Sequence, residues 1–557
     1  MAKSSTMYIG IIAVWLLCLA WFVPRLATLW GDLDSGLMQS LLIFVLVCLA
    51  LFWFYGIHFF AFFLFTLLER RRKRQPPHPG QKPQEFPRVA ILYPTANDFE
   101  YRVVLSCVKQ RYPNFHVFLL DDSNRKEYRA QVDAFHREFS QITTVVRRES
   151  REGFKAGNIN NALAMIDSDY EFFAICDSDN VLAPDFLAQL MPYFQEDARL
   201  GFIQANHRSN RLGKELFVRS VQTMADGRWD YHNIPRNRYG LVFCLGHGVI
   251  IRTEAWREAG GFPFIVYEDI GFTFSMRRKG YHGRFAPQVI CGDGIPPSLA
   301  AWRKQNHRNV TGGVECLFRA VVPFLGAKGV TLVEKFDALA RNAQIPLSAF
   351  FLPFLLASSF LLFSLKENSA ATSVMTSWDF LTLNLLVALS PYLRFFADLL
   401  HQPIAAARFV SQLTALQFSL LLLDMLGLLI YSVTRRAHFF VTAAAAGDRP
   451  RKGATFLSSL AGVDPNHPAI LAAEALLALL LAYVAVTTLN WVVLAVSLSV
   501  LIMLLRHRLG WDWLPGRVLV YVPVLLVLLG VFSGLAGIPG PPGQVLILAA
   551  LSVLVHA

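Results

Sequence analysis

Two acidic pairs follow apolar runs in this sequence: Asp121-Asp122 comes directly after residues 116–120, and Asp177 and Asp179 come directly after Phe172-Phe173-Ala174-Ile175-Cys176. Carboxylates that alternate along a turning segment, as in Asp177-Ser178-Asp179, present oxygen to a hard divalent cation. Such a cation bridges the phosphates of a nucleotide diphosphate and neutralises a leaving group. Read singly, either pair is also what a surface turn or a helix cap uses, because Asp side chains bond to nearby backbone N–H groups. Two pairs delivered in the same way point to a ligand, since open α/β sheets bind ligands beyond the carboxyl ends of their strands.

The elements that position these pairs read as alternating strands and helices. Residues 89–93 are a buried apolar run ending at Pro94; a helix follows through 103–110, then a turn at Tyr112-Pro113-Asn114 and a second apolar run at 116–120, which is βαβ order. This soluble-looking composition extends from residue 85 to about 328 and is preceded by the linker Gln75-Pro76-Pro77-His78-Pro79-Gly80. The rest of the chain is different. With 557 residues, 54% hydrophobic, 17% charged and a mean hydropathy of +0.40, a wholly soluble domain, a disordered chain and a small disulfide scaffold are all excluded. The net charge of +12 is read as cytoplasmic loops facing anionic lipid, with no nucleic-acid partner expected.

Charge-free runs at both ends predict membrane helices. Residues 4–24 and 35–68 precede the basic block Arg70-Arg71-Arg72-Lys73-Arg74, which the positive-inside bias places in the cytosol. Further spans are expected at 346–365, 380–400, 413–431, 470–489, 491–505, 518–535 and 545–555. Counting all of them as crossings would put Arg435-Arg436 and the basic stretch 449–452 outside, so residues 408–431 are expected to lie along the cytoplasmic interface, leaving about eight crossings. Leu332, Val333, Phe336, Leu339, Ala340 and Ala343 recur at helical spacing around Glu334, Lys335, Asp337 and Arg341, the form of an interfacial helix. Cys244, His247 and Cys291 lack zinc-ligand spacing.

Six signals in order carry a resemblance: Pro94-Thr95-Ala96-Asn97-Asp98; Tyr112-Pro113 before Asp121-Asp122-Ser123; Lys155-Ala156-Gly157-Asn158-Ile159-Asn160; Asp177-Ser178-Asp179; Glu268-Asp269; and Gln305-Asn306-His307-Arg308. Over residues 88–442 the chain resembles family 2 glycosyltransferases, and more narrowly their processive membrane branch, which includes cellulose, chitin, hyaluronan and curdlan synthases. The resemblance implies an α/β cytosolic domain of GT-A type inserted in a multi-helix transmembrane bundle. Residues 1–75 would form two membrane helices and 85–330 the transferase domain. Residues 331–434 would hold interfacial helices and two crossings, 435–466 a gating-loop-like cytosolic segment, and 467–557 the last membrane helices.

It also implies roles. Asp122, with Asp121 beside it, would contact the uridine, Lys155 would lie near the diphosphate, and Asp177 and Asp179 would hold the donor and its Mg²⁺ or Mn²⁺. Asp269 would be the general base, with Glu268 helping to position the acceptor. Gln305 and Arg308 match a QxxRW motif in which Arg stabilises charge developing on the diphosphate. Outside that context Lys155 reads as a solvated lysine at a helix start, and Glu268-Asp269 as an N-cap.

Departures accompany the match. Asn309 stands where the motif has a stacking tryptophan, and Trp229, Tyr231 and Trp302 are alternative platforms. Gly246-His247-Gly248 replaces a more usual Gly-Thr, and Ala96 an aromatic. Phe439-Phe440-Val441-Thr442 resembles the FxVT element of a gating loop. The expected activity is polymerisation of a UDP-sugar, glucose first, onto a growing β-linked polysaccharide secreted through the bundle in a bacterial inner membrane. Membrane lipid and separate periplasmic or regulatory subunits are the other expected partners. A single-sugar transferase acting on a lipid is the alternative, and a transporter with a regulatory nucleotide-binding insert is disfavoured by Asp269, Gln305 and Arg308.

Overall fold

The structure, a computed structural model, describes residues 4–71, 86–166, 170–210, 216–226, 228–365, 368–393, 402–435, 437 and 464–535. Val89–Thr95 (β1), Phe115–Asp121 (β2), Thr143–Val146 (β3), Phe172–Ile175 (β4), Leu200–Ser209 (β5), Val249–Arg252 (β6) and His282–Asp293 (β7) form one sheet in the order β3-β2-β1-β4-β6-β5-β7. The central strands are apolar on both faces because helices cover both. Ile91 and Tyr93 pack with Val103, Val104 and Phe135 on one side, while Ala90 and Leu92 pack with Ile159, Ala162 and Phe272 on the other.

Strands β1 to β4 are parallel, β6 is antiparallel to β4 and to β5, and β7 is parallel to β5. One reversed strand therefore leaves β5 and β7 ending at the same edge as β1, β2 and β4, and makes β6 start there. This topology gathers the segments after Thr95, Asp121, Ile175, Ser209 and Asp293 with the loop that precedes Val249.

Among the described residues, five helices are long and apolar enough to cross a bilayer: Thr6–Asp32, Gly36–Arg71, Pro403–Thr434, Pro468–Thr488 and Trp491–Leu509. The pair Leu332–Ser348 and Phe351–Ser364, bent by 64°, makes a sixth if it counts as one span. Trp378–Leu389 and Leu514–Gly530 are shorter apolar helices, and the expected span at 545–555 lies outside the described residues. Residues 408–431, expected to lie flat, fall within Pro403–Thr434, so helix length and hydropathy group them with the spans.

The Leu332–Ser348 helix is amphipathic, with its charged side turned into the protein. Asp337 accepts from Arg236 Nε and Nη2 (3.0 and 2.8 Å) and from the Leu241 N–H, with both charged side chains almost fully buried. Glu334 accepts from Arg277 Nε at 2.8 Å and closes a capping box with Thr331. Leu332, by contrast, is 81% exposed. Charge-paired residues thus dock this helix on the sheet-bearing domain. Arg236→Met strands the Asp337 carboxylate in an apolar site, and is expected to cost about 3–5 kcal/mol; thermal unfolding in detergent should show a lowered midpoint.

The Leu299–Cys316 helix is tied to the bundle by buried polar contacts. Arg303 Nη2 donates to Glu474 Oε1 at 3.0 Å and to the Pro465 carbonyl at 2.8 Å. Asn306 Nδ2 donates to Asp424 Oδ1 at 2.7 Å, and Ser348 Oγ donates to Asp424 Oδ2 at 2.9 Å.

Candidate active site

Lys155 is the hub of the strand-end edge. It lies in the first turn of the Phe154–Met165 helix, which Gly153 enters with φ +70°. Its Nζ donates to Asp177 Oδ2 at 2.7 Å and to the Gly246 carbonyl at 3.0 Å, and lies 3.9 Å from Glu268 Oε1. Glu268 and Asp269 open the Glu268–Arg278 helix, where Asp269 Oδ1 accepts from the Ile270 N–H at 2.7 Å. The N-cap position is Tyr267 and no side chain caps this helix, so the capping reading of Glu268-Asp269 does not hold; both carboxylates sit in its first turn. Gly246, at φ +78°, passes so close that a Cβ there would stand 3.1 Å from Asp269 Oδ2, so glycine is needed for both the turn and the approach.

Burial pushes the Glu268 carboxyl up to about 7, with Lys155 opposing and Asp269 adding. Burial also raises Asp269, against the pull of the Ile270 N–H and of Lys155. The Lys155 ammonium loses solvation by burial, but Asp177 and Glu268 outweigh that and hold it above its usual range. The edge thus carries a fixed cation and two carboxyls whose protonation changes nearer neutrality than is usual.

Asp121 and Asp122 end β2 with arginine partners that the motif reading missed. Asp121 Oδ2 accepts from Arg147 Nε at 2.7 Å, and Asp122 is gripped by Arg148 through Nε at 3.0 Å and Nη2 at 2.7 Å. Arg148 also donates to the carbonyls of Glu152 and Phe154, which fastens Asp122 to the start of the Lys155 helix. Ser178 Oγ donates to Asp98 Oδ2 at 2.8 Å, joining the first motif to the fourth.

Beside Asp177 the sheet brings together residues that spacing did not connect. His247 Nδ1 lies 3.5 Å from Asp177 Oδ2, and its Nε2 lies 3.2 Å from Asp293 Oδ1. His207, at the end of β5, stacks on His247 at 4.4 Å and has Nδ1 3.6 Å from Asp293 Oδ2. His207, His247 and Asp293 each offer a ligand atom within 4.8 Å of the others. His207 Nδ1 and Asp177 Oδ1 are buried with no hydrogen-bond partner among the described residues. A Cβ on Gly294 would meet the Asp179 side chain at 2.6 Å, so Asp179 closes the other side. This mixed nitrogen and carboxylate set fits a divalent cation. His247 takes part through His207 and Asp293 instead of Cys244 and Cys291. The three sit 40 and 46 residues apart in the chain, so only the strand order could reveal them.

Gln305 lies on the Leu299–Cys316 helix and lines a cavity with His207, Trp229, Asp293 and Trp302. Arg308 and Asn309 follow on the next turn and are half-buried. Tyr231 stands away from this cavity, stacked on Phe63. Val441 and Thr442 lie outside the described residues. The structure therefore groups Lys155, Asp177, Glu268 and Asp269 at one sheet edge, sets Asp179 against Gly294, keeps Asp121 and Asp122 on arginines, and puts Gln305 beside Asp293 at the end of β7.

Residues 87–312 match the family model described as "Glycosyltransferase like family 2". Glucomannan 4-beta-mannosyltransferase 1 of Cyamopsis tetragonoloba is 26% identical over 269 residues, covering 46% of this chain and 50% of that protein. The protein of the same name from Oryza sativa subsp. japonica is 26% identical over 288 residues, covering 48% and 54%. The chain spans about half the length of the curated relatives it matches. Among solved structures, the mannosyltransferase PcManGT from Pyrobaculum calidifontis in complex with GDP-Man and Mn²⁺ aligns with a TM-score of 0.45 at 18% identity, over 65% of this chain and 96% of that one. S. aureus TarS 1-349 with UDP aligns at 0.34 and 17%, over 58% and 91%. Residues 87–312, the part of this chain similar to family 2 glycosyltransferases, fold on a GT-A-like mixed sheet joined to helices of membrane-spanning length.

Proposed function

We propose that the chain is a membrane-embedded, inverting polysaccharide synthase that takes a hexose from a nucleotide diphosphate and adds it to the end of a β-linked glycan. The observation that carries this reading is the convergence of Lys155, Asp177, Glu268 and Asp269 at one sheet edge, fused to a helical bundle. In the reaction an acceptor hydroxyl attacks the anomeric carbon, the bond to the diphosphate oxygen breaks, and Asp269 takes the hydroxyl proton. Direct displacement inverts an α-linked donor to a β-glycoside. Glu268 orients the acceptor, and Lys155, Gln305 and Arg308 offset charge on the departing diphosphate. Asp121 and Asp122, held rigid by Arg147 and Arg148, face the nucleoside. Asp177 and Asp179, with His247 and Asp293 beside them, would hold Mg²⁺ or Mn²⁺, which supplies positive charge to the diphosphate.

A polar chain cannot cross lipid unescorted, because each unsatisfied polar group costs several kcal/mol there. The bundle supports secretion of the product through its helices, with the transferase domain on the cytosolic side of a bacterial inner membrane. Glucose carried on UDP is the donor favoured on the resemblance; the mannosyltransferase names of the relatives add mannose. Purified chain in nanodiscs, given UDP-glucose, GDP-mannose and other nucleotide sugars with Mg²⁺ or Mn²⁺, should build products of many sugars that linkage-specific hydrolases digest. Single-sugar products on lipid would refute processive synthesis.

The carboxyl shifts set a pH dependence. A base works only when unprotonated, so with Asp269 raised and Glu268 near 7, transfer should rise with pH through about 7 and fall toward pH 5. A rate profile flat across that range would contradict the assignment.

A further inference from the structure

A cavity of about 130 Å³ opens beside the Glu268–Arg278 helix, and none of the groups at the sheet edge lines it. It runs along Phe274 and Arg278 on one face of that helix. Phe264 closes it from the loop before the helix, and Arg319, Ala320 and Pro323 close it from the segment after the Leu299–Cys316 helix. One water needs roughly 10–15 Å³ of such space, so the hollow has room for a phosphate-sized group. Its outer wall includes a π-helical turn, Leu317–Val321, at which Phe318 and Arg319 are both exposed.

The accessible charges around this cavity are of one sign. Over residues 263–279 and 315–335 the acidic side chains are Glu268, Asp269, Glu315 and Glu334. The first two open the helix, about 13 Å or more along its axis from Arg278. The other two are buried: Glu315 accepts from the Val266 N–H at 2.9 Å and from Arg319 Nη1 at 3.0 Å, and Glu334 from Arg277 Nε at 2.8 Å. Arg278, Lys279, Arg319 and Lys328 are exposed, and Arg278 has no carboxylate partner among the described residues. Large apolar groups stand among these cations. Phe264, Phe318 and Val322 are each about half exposed, and Leu332 almost wholly so.

Two contacts set this patch beside the membrane helices. Arg435, which ends the Leu421–Thr434 helix, lies over Phe318 at 5.8 Å. Leu332 starts the helix that bends into Phe351–Ser364, whose Phe354 packs on Phe52 of the Gly36–Arg71 helix at 4.9 Å. A soluble anion would engage the arginines and leave the exposed rings in water. A phospholipid engages both, because its phosphate meets the guanidinium groups while its acyl chains cover the apolar ones.

We propose that this cavity binds one anionic phospholipid of the adjoining leaflet, with its phosphate on Arg278 and Arg319 and its acyl chains against Phe264, Phe318 and Val322. The occupied site braces the helix that carries Glu268 and Asp269. Lipid binding stands on this geometry alone, whereas its effect on turnover rests on the polysaccharide-synthase reading.

The test uses the purified full chain, phosphatidylglycerol as the anionic probe and phosphatidylcholine of the same acyl chains as the neutral one. In native mass spectrometry from detergent, wild type should retain phosphatidylglycerol in preference to phosphatidylcholine. Arg278→Ala should weaken that retention by about fivefold, the worth of one cation beside an anionic lipid, and Arg319→Ala should add a loss in the same direction. Lys279→Ala removes an exposed cation one residue along that does not line the cavity, and should stay within about twofold of wild type. Equal losses in Arg278→Ala and Lys279→Ala would reduce the effect to diffuse surface charge and overturn the site. Retention of both lipids alike by wild type, or full displacement of phosphatidylglycerol by inorganic phosphate, would overturn it too. In nanodiscs, turnover by wild type should rise about threefold or more when phosphatidylglycerol joins phosphatidylcholine, and Arg278→Ala should blunt that rise; turnover indifferent to the lipid would overturn the bracing role. Should wild type turn over no nucleotide sugar, the functional reading fails separately, and lipid retention still decides the site.

Discussion

Asp269→Asn should lower sugar transfer by about 10²–10⁴-fold while nucleotide-sugar binding stays close to wild type. Asparagine keeps the shape and can still accept from the Ile270 N–H in the first turn of the Glu268–Arg278 helix, so the fold is preserved. What disappears is the ability to take a proton from the attacking hydroxyl. Turnover by released nucleoside diphosphate, paired with donor binding by calorimetry, separates the two. Unchanged turnover would remove Asp269 from the role of base, and lost donor binding would move it to the nucleotide side.

The second large effect is expected at Asp179. Asp179→Ala removes one of the carboxylates around the cluster of His207, His247 and Asp293, and should weaken cation-dependent donor binding by about 100-fold. Binding measured without added cation should change far less. The position tolerates truncation structurally, since residue 179 is exposed. Wild-type donor affinity in the presence of Mn²⁺ would exclude Asp179 from the cation site.

Much of this site was legible because its parts sit at the ends of short apolar strands. Asp121, Asp122, Asp177 and Asp179 each follow such a run, and parallel pairing of β1, β2 and β4 aligns them at one edge. Lys155 and Asp269 were legible only through motif order, since a lysine near a helix start and an Asp capping a helix look ordinary alone. The strand order β4-β6-β5-β7 was not legible. The short reversed strand Val249–Arg252 makes β5 and β7 end beside Asp177, and nothing in the spacing of His207, His247 and Asp293 signals that arrangement. Arg147 and Arg148 were missed because they close ion pairs across β2 and β3 from a stretch that reads as a solvated basic run.

In the Leu332–Ser348 helix, the amphipathic period was visible, but the direction of its faces was not. Glu334 and Asp337 would ordinarily be assigned to water, yet they are 1% and 0% exposed because Arg277 and Arg236 meet them. Periodicity locates a polar face without saying whether a buried partner waits for it. The Arg303–Glu474 and Asn306–Asp424 contacts make the same point for helices that hydropathy reads as wholly apolar.

The central claim is that acidic groups at these strand ends hold an activated sugar and pass it to a hydroxyl. Its most direct test is transfer of radiolabelled sugar by the purified full chain in nanodiscs, supplied in turn with UDP-glucose, GDP-mannose and other nucleotide sugars plus Mn²⁺ or Mg²⁺. The account predicts that at least one donor gives label in a β-linked product with one nucleoside diphosphate released per sugar, and that Asp269→Asn gives almost none. Label transfer undiminished in Asp269→Asn, or no transfer from any donor by the folded wild type, would contradict it.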